Sequence, residues 1–183
     1  MLANDAPPSV AVELALLPEF ASLPAFEEHA PTFAENASGK ALHYSRLHDG
    51  LVFADDSGLV VPALGGAPGV HSARYAGIGA PNSLRIQRLL QQICDKSGKE
   101  RAAYFVCVIA LARNGRALAV VSDRVYGETL ESARGAGGIG YDPVFYFPPL
   151  KKTFAELSPE EKNQHSHRGK AFRKLIVALS SML

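Results

Sequence analysis

Three short stretches carry side chains able to do chemistry. Asp55-Asp56-Ser57-Gly58 follows the apolar run at 51–54. It reads as the end of a short strand, where a turn exposes adjacent carboxylates. Neighbours on an extended chain point opposite ways, so one of the two aims at any given site. Glu35 lies near the start of a preceding helix. Two carboxylates from different elements suit Mg²⁺, a hard ion that takes oxygen ligands and keeps several waters. The same aspartates equally serve to cap or form a turn. The second stretch, 162–169, holds Lys162, His165, His167 and Arg168. Lysine is a point charge for phosphate and arginine a planar fork of donors. A solvated helix end is the alternative, and the His-x-His pair alone has no fixed metal geometry. The third is Gly135-Ala136-Gly137-Gly138-Ile139-Gly140-Tyr141-Asp142-Pro143. Its glycines permit close backbone approach to a ligand. It is neither a P-loop nor the dinucleotide fingerprint, and taken singly it is a turn. Asp142 precedes a proline, which predicts an extended residue whose carboxylate is fixed toward a pocket.

The elements that position these residues alternate imperfectly. Residues 10–16 are predicted as a first strand. Thr32-Phe33-Ala34-Glu35 reads as a capping box opening a helix that runs to about His48. A helix starts at Asn82 or Ser83, with Leu84, Ile86, Leu89, Leu90 and Ile93 at mostly helical spacing. Two strand-like runs, 103–112 and 117–125, flank Asn114-Gly115, which suits a type I′ hairpin. The first run is apolar on both faces and should be a central strand covered on two sides. Residues 141–147 form another strand candidate. Ser158-Pro159-Glu160-Glu161 signals a helix start, and an amphipathic helix runs from about 169 to the end. The reading is α/β with a mixed sheet flanked by helices. His71 and Arg74 either reach a cleft or anchor a loop. Tyr104, Phe105 and Phe172 read as core.

Composition bounds the class. The chain has 183 residues, 47% apolar and 20% charged, with a net charge of +1. That points to a soluble globular protein of one domain or one compact two-lobed unit. No run of about 18 apolar residues exists, so no membrane-spanning helix is expected. The start lacks a basic region followed by an apolar one, so no secretory leader is expected. The charge balance argues against direct nucleic-acid binding. Cys94 and Cys107 have no metal-ligand spacing, and Cys107 sits in an apolar run, so it reads as a buried hydrophobe. A reducing cytoplasm fits.

In combination, DDSGLVVPALGGAPGVHSARYAG, GGIGYDPVF, EEKNQHSHRGKA and TFAENASGKA resemble the pyrophosphatases of non-canonical purine nucleoside triphosphates, the inosine triphosphatases. The resemblance covers about residue 10 to the C-terminus. It implies an elongated mixed sheet, two lobes with a nucleotide cleft between them, and a cytoplasmic homodimer. It implies Mg²⁺-dependent hydrolysis of ITP, dITP and XTP to monophosphate and pyrophosphate. Glu35 and Asp56 would bind the metal, with Asp56 the general base and Asp55 in support. Ser57 and Lys162 would contact phosphates. Ile139, Gly140, Tyr141, Asp142, His167 and Arg168 would line the base site. Donors from His167 and Arg168 match a 6-oxo purine, whereas the 6-amino group of adenine would leave donor facing donor. Rejection of guanine, also 6-oxo, would rest on its 2-amino group.

Two departures follow. The family opens with a strand and a loop of pattern Ser/Thr-x-Asn-x-x-Lys, which this sequence lacks; residues 1–3 resemble the tail of the family's first helix. The expectation is a single domain over 1–183, N-terminally truncated relative to the family, with a start supplied too late favoured over natural truncation. Ile139 also replaces an aromatic that stacks on the purine, which predicts weaker binding. A catalytically impaired nucleotide-binding member is the alternative reading.

Overall fold

The computed structural model describes residues 12–182. Its centre is a five-stranded sheet in the order β1-β2-β3-β4-β5, comprising Val52–Val60, Ala102–Arg113, Arg116–Thr129, Phe145–Phe147 and Lys152–Thr153. Helix α1 (Phe33–Tyr44) packs on one face, and α4 (His167–Ser180) on the other. Helices α2 (Asn82–Gln92) and α3 (Pro159–His165) complete the set. This is the expected α/β architecture with helices on both faces. All four described strand pairings are antiparallel, so the parallel component of a mixed sheet is not found among the described residues.

The hairpin forms as its sequence predicts. Asn114 and Gly115 take φ of 51° and 72°, the left-handed pair that a type I′ turn demands. β2 is buried along most of its length. Its alternate residues feed different cores. Val106, Val108, Ala110 and Ala112 meet Ala37 and Ala41 of α1. Cys107, Ile109 and Leu111 meet Ala171, Leu175 and Leu179 of α4. A third cluster gathers Phe105, Phe145, Phe154, Leu89 and Ile93 at the sheet's other end. Arg101, also buried, ties that end together. Its guanidinium donates to the carbonyls of Ile93, Lys96, Thr129 and Leu130 at 2.7–3.2 Å.

Several boundaries differ from expectation. Within the predicted strand at 10–16, residues 12–16 have no regular structure; residues 10 and 11 lie outside the described range. α1 stops at Tyr44, where Ser45 turns its hydroxyl to the Leu42 carbonyl and so competes with the helix backbone. β1 does not end at the aspartates. It runs on through Asp55-Asp56-Ser57-Gly58 to Val60, because the β2 register continues unbroken to Val60↔Tyr104. Of the segment at 141–147, only Phe145–Phe147 is strand. Asp142–Val144 forms a 3₁₀ turn, so Asp142 is not extended as its proline neighbour predicts.

Gly58 is where β1 meets the 3₁₀ segment Gly69–Arg74. A Cβ there would fall 2.5 Å from the Gly69 carbonyl oxygen and 2.6 Å from Ser72 Oγ. Gly58→Ala is expected to cost about 1–3 kcal/mol through overpacking, read as a lower urea midpoint at unchanged slope.

Candidate active site

Among the described residues β1 is the edge of the sheet, and the two-residue period of the strand sorts its polar residues. Asp56 points to the α1 face, while Asp55 and Ser57 point to the α4 face. The chemistry-bearing residues therefore form two groups that share one strand.

On the α1 face, Asp56 is buried and accepts a hydrogen bond from Asn36 Nδ2 at 3.0 Å. Asn36 is itself fixed by Ala30, whose carbonyl it meets at 3.2 Å and whose N–H it accepts at 3.0 Å. Burial pushes the Asp56 carboxyl above the usual carboxylate range, and nearby Glu28 adds to this; the Asn36 bond and Lys40 pull the other way. Lys40 donates to the Asp55 carbonyl at 2.9 Å and pairs with Glu28. Glu35 is the third helical residue after the Thr32 cap. Its N–H meets Thr32 Oγ1 at 3.2 Å, and its carboxylate accepts from that hydroxyl at 2.6 Å. Glu35 is thus exposed at the helix start, and its neighbour Asn36, not Glu35 itself, touches Asp56. Among the described residues, no three His, Cys, Asp or Glu side chains gather closely enough to hold a metal. Mg²⁺ takes few protein ligands, so Asp56 is the side chain of this face that fits it as the structure stands, with Glu35 held by Thr32. The buried Asp56, whose carboxyl is raised by burial and by Glu28, is the observation that fits a cation.

On the α4 face, Asp55 accepts from Ser57 Oγ at 2.9 Å and from Arg168 Nε at 3.2 Å. Cys107 lies 4.0 Å from the same carboxylate, and burial pushes its thiol up to about 11, so it is inert as a nucleophile. Ser166 ends α3 and caps α4, accepting from Gly169 N–H at 3.0 Å. That cap places His167 and Arg168 on the first turn of α4. His167 is buried with its ring stacked on Phe105. Burial, with help from Arg168 and Lys162, pushes its imidazole down to about 3, so it is neutral in the fold.

The glycine loop joins this group. Asp142 is buried, accepts from Ile139 N–H at 2.7 Å and pairs with Lys162 of α3. Gly140 has φ +62°, and a Cβ on Gly138 would strike Asp142. Ile139 is exposed at the loop tip. Tyr141 is buried, and its hydroxyl donates to the Ser72 carbonyl at 2.9 Å. Ser72 Oγ in turn accepts from Leu59 N–H of β1 at 3.0 Å. The structure thus brings Asp55, Ser57 and Arg168 into contact, and Asp142, Ile139 and Lys162 into a second set, with His167 between them in sequence. It sets Asp56 on the opposite face and leaves Glu35 apart from it.

Three residues that organise the site, Asn36, Lys40 and Ser72, drew no reading from the sequence, and a fourth, Phe105, read only as core. Asn36 and Lys40 stand four apart on the α1 stripe that also carries Ala37 and Ala41; two polar residues on that stripe were a usable signal. Phe105 and Ser72 gave no local signal, because their partners are distant in the chain. Arg74 anchors a loop, donating Nη2 to the Glu28 carbonyl at 2.9 Å.

The family model "Ham1 family" matches residues 2–178. The chain is 52% identical over 164 residues to a dITP/XTP pyrophosphatase of Geobacillus kaustophilus, covering 90% of this chain and 80% of the relative. It is 46% identical over 165 residues to one of Desulfotalea psychrophila, covering 90% and 73%. Among solved structures, a HAM1 protein from Coxiella burnetii superposes with TM-score 0.82 at 43% identity, covering 87% of this chain and 82% of that one. The Staphylococcus aureus Ham1 protein gives 0.84 at 40%, covering 90% and 85%. The chain belongs to the Ham1 family.

Two pH effects follow. His167 is depressed from 6.5 to about 3. Its contribution to stability is therefore present above about 6.5 and is lost as pH falls toward 3. The decline of Tm from pH 7 to pH 5 is expected to be shallower in His167→Gln than in the parent. Asp56 is raised, so its ionised form costs the fold stability at neutral pH. Asp56→Asn is expected to melt at or above the parent Tm at pH 7.5.

Proposed function

We propose that this chain hydrolyses nucleoside triphosphates bearing deaminated purines, ITP, dITP and XTP, to the monophosphate and pyrophosphate, with Mg²⁺ as cofactor. The observation that carries the reading is the division of polar groups about β1. A buried carboxylate lies on one face, and a set of cations and donors on the other. The names of the relatives support the substrate class.

Lys162 and Arg168 would hold phosphate and base once the nucleotide displaces Asp142 and Asp55 from them. Ser57 would add a hydroxyl donor near the phosphates. Asp142, Gly140 and Tyr141 shape the loop that closes over the base, with Ile139 giving apolar contact. Asp56 would take the proton of the attacking water at a carboxylate oxygen. Its raised carboxyl makes it a better base than an exposed aspartate. Glu35 and Asp56 would hold Mg²⁺, which when bound offsets the triphosphate charge. Inosine and xanthine offer a 6-oxo acceptor to His167 and Arg168; adenine offers a donor there. An uncovered strip on β3, with Val120 49% and Tyr126 65% exposed, supports a homodimer. The nucleotide pool of the cytoplasm is its proposed workplace. No described helix is long and apolar enough to cross a membrane.

A second reading is a nucleotide binder with impaired turnover. It is favoured by Glu35, whose carboxylate is held by Thr32 rather than set beside Asp56.

Pyrophosphate release from ITP, dITP, XTP, dATP and dGTP with Mg²⁺ separates the two. Release from the deaminated substrates, lost in Asp56→Asn, is expected. Binding of ITP without release would establish the second reading. Ile139→Phe is expected to tighten ITP binding about five- to a hundredfold, the range of one base–aromatic stack. An unchanged Kd would show that the loop tip does not meet the base.

A further inference from the structure

Phe105 lies flat against His167. The ring centroids are 4.7 Å apart and the planes are inclined by 10°. Phe105 stands on β2 opposite Leu59 and is held by Phe145 and Phe154, with ring centroids at 4.6 and 5.8 Å. His167 opens α4, so the Ser166 cap fixes its backbone while the stack fixes its ring. The imidazole is 5% exposed. Its Nδ1 is sealed from solvent and has no hydrogen-bond partner among the described residues.

A buried nitrogen with no acceptor in reach is a poor place for a proton. Orphaned N–H donors are rarer in protein interiors than under-satisfied acceptors, and an unmet buried donor costs its full desolvation. A neutral imidazole carries one proton, so here it belongs on Nε2. The charged groups that act on the ring are Lys162 on α3, Arg168 on α4 and Asp55 on β1. Asp55 pairs with Arg168, and Asp142 with Lys162. Burial first, and then Arg168 and Lys162, oppose a second ring proton.

We propose that Phe105 is a positioning residue that, with the dry wall around Nδ1, locks His167 as the Nε2–H tautomer, making it a donor and never an acceptor toward the purine. Selection of a 6-oxo over a 6-amino base is then written into a tautomer. This rests on the function proposed above, in which His167 meets the base. With the proton on Nε2, the 6-oxo oxygen is satisfied and a 6-amino group faces donor against donor. With the proton on Nδ1, Nε2 would accept from adenine and the filter would invert.

The test begins with long-range ¹H–¹⁵N spectra of the labelled chain at pH 7, the His167 signal being identified by its loss in His167→Gln. A protonated Nε2 beside a bare Nδ1 is expected. An Nδ1–H tautomer or an imidazolium overturns the proposal. In Phe105→Leu, a tautomer mixture is expected, and the ratio of kcat/KM for dITP over dATP should fall roughly five- to tenfold, the worth of about one hydrogen bond. Phe145→Leu loosens the same aromatic cluster at one remove and should leave tautomer and ratio at parent values. An equal fall in both variants, or no fall in Phe105→Leu, overturns the positioning role. Should Phe105→Leu fail to fold, Phe105→Met fills the volume without a flat face and is read the same way. The spectra do not depend on turnover. A chain that releases no pyrophosphate yet keeps the Nε2–H tautomer sinks the pyrophosphatase reading alone.

Discussion

Side chains on an extended strand alternate between two sides, and the site depends on that alternation. Asp55 and Asp56 are adjacent in sequence, yet β1 sends one to α4 and the other to α1. A carboxylate that anchors a guanidinium and a carboxylate raised by burial can therefore sit one residue apart without sharing an environment. Had the pair occupied a turn, both would have faced water, and neither would have been tuned by burial. The long register with β2 enforces the division. A slip of one residue would exchange the two aspartates and bury Ser57 against α1.

Around that strand the cations are held in waiting. Arg168 rests on Asp55, and Lys162 rests on Asp142. Each pair holds a cation in place through a carboxylate of another element. Helix α4 adds its first turn, which delivers His167 and Arg168 together. The serine before them is shared with the end of α3, so the position of both residues is set by two helices at once.

Much of this was legible in the sequence, and the gaps have physical causes. The hairpin, the cap at Thr32 and the Ser158 helix start are local signals, each decided within a few residues, and all three appear in the structure. The extent of β1 was missed because aspartate, serine and glycine favour turns in isolation; pairing with an unusually apolar β2 overrides that preference. Asp142, expected extended, instead opens a 3₁₀ turn, since its side chain bonds the Ile139 N–H and folds the loop back on itself. The candidate residues could be found by type and spacing. Their partition between two faces could not be assigned while the aspartates were read as a turn. Phe105 read as core, which it is; that it also floors an imidazole 62 positions away is a tertiary fact with no trace in local pattern.

Arg101 shows how the far end of the molecule constrains what can be built on it. Its planar fork meets four carbonyls from two separate stretches, so the connection between α2 and β2 behaves as part of the scaffold rather than as slack. Lysine could not replace it, having neither the span nor the number of fixed donors. A peptide tag or fluorescent label inserted near 96–100 would pull those carbonyls out of register and disturb the ends of α2 and β3 together. The loop tip at Gly77-Ile78-Gly79 is the opposite case. Ile78 is 95% exposed there, and extra residues would extend into solvent, which makes that tip the place to attach a reporter.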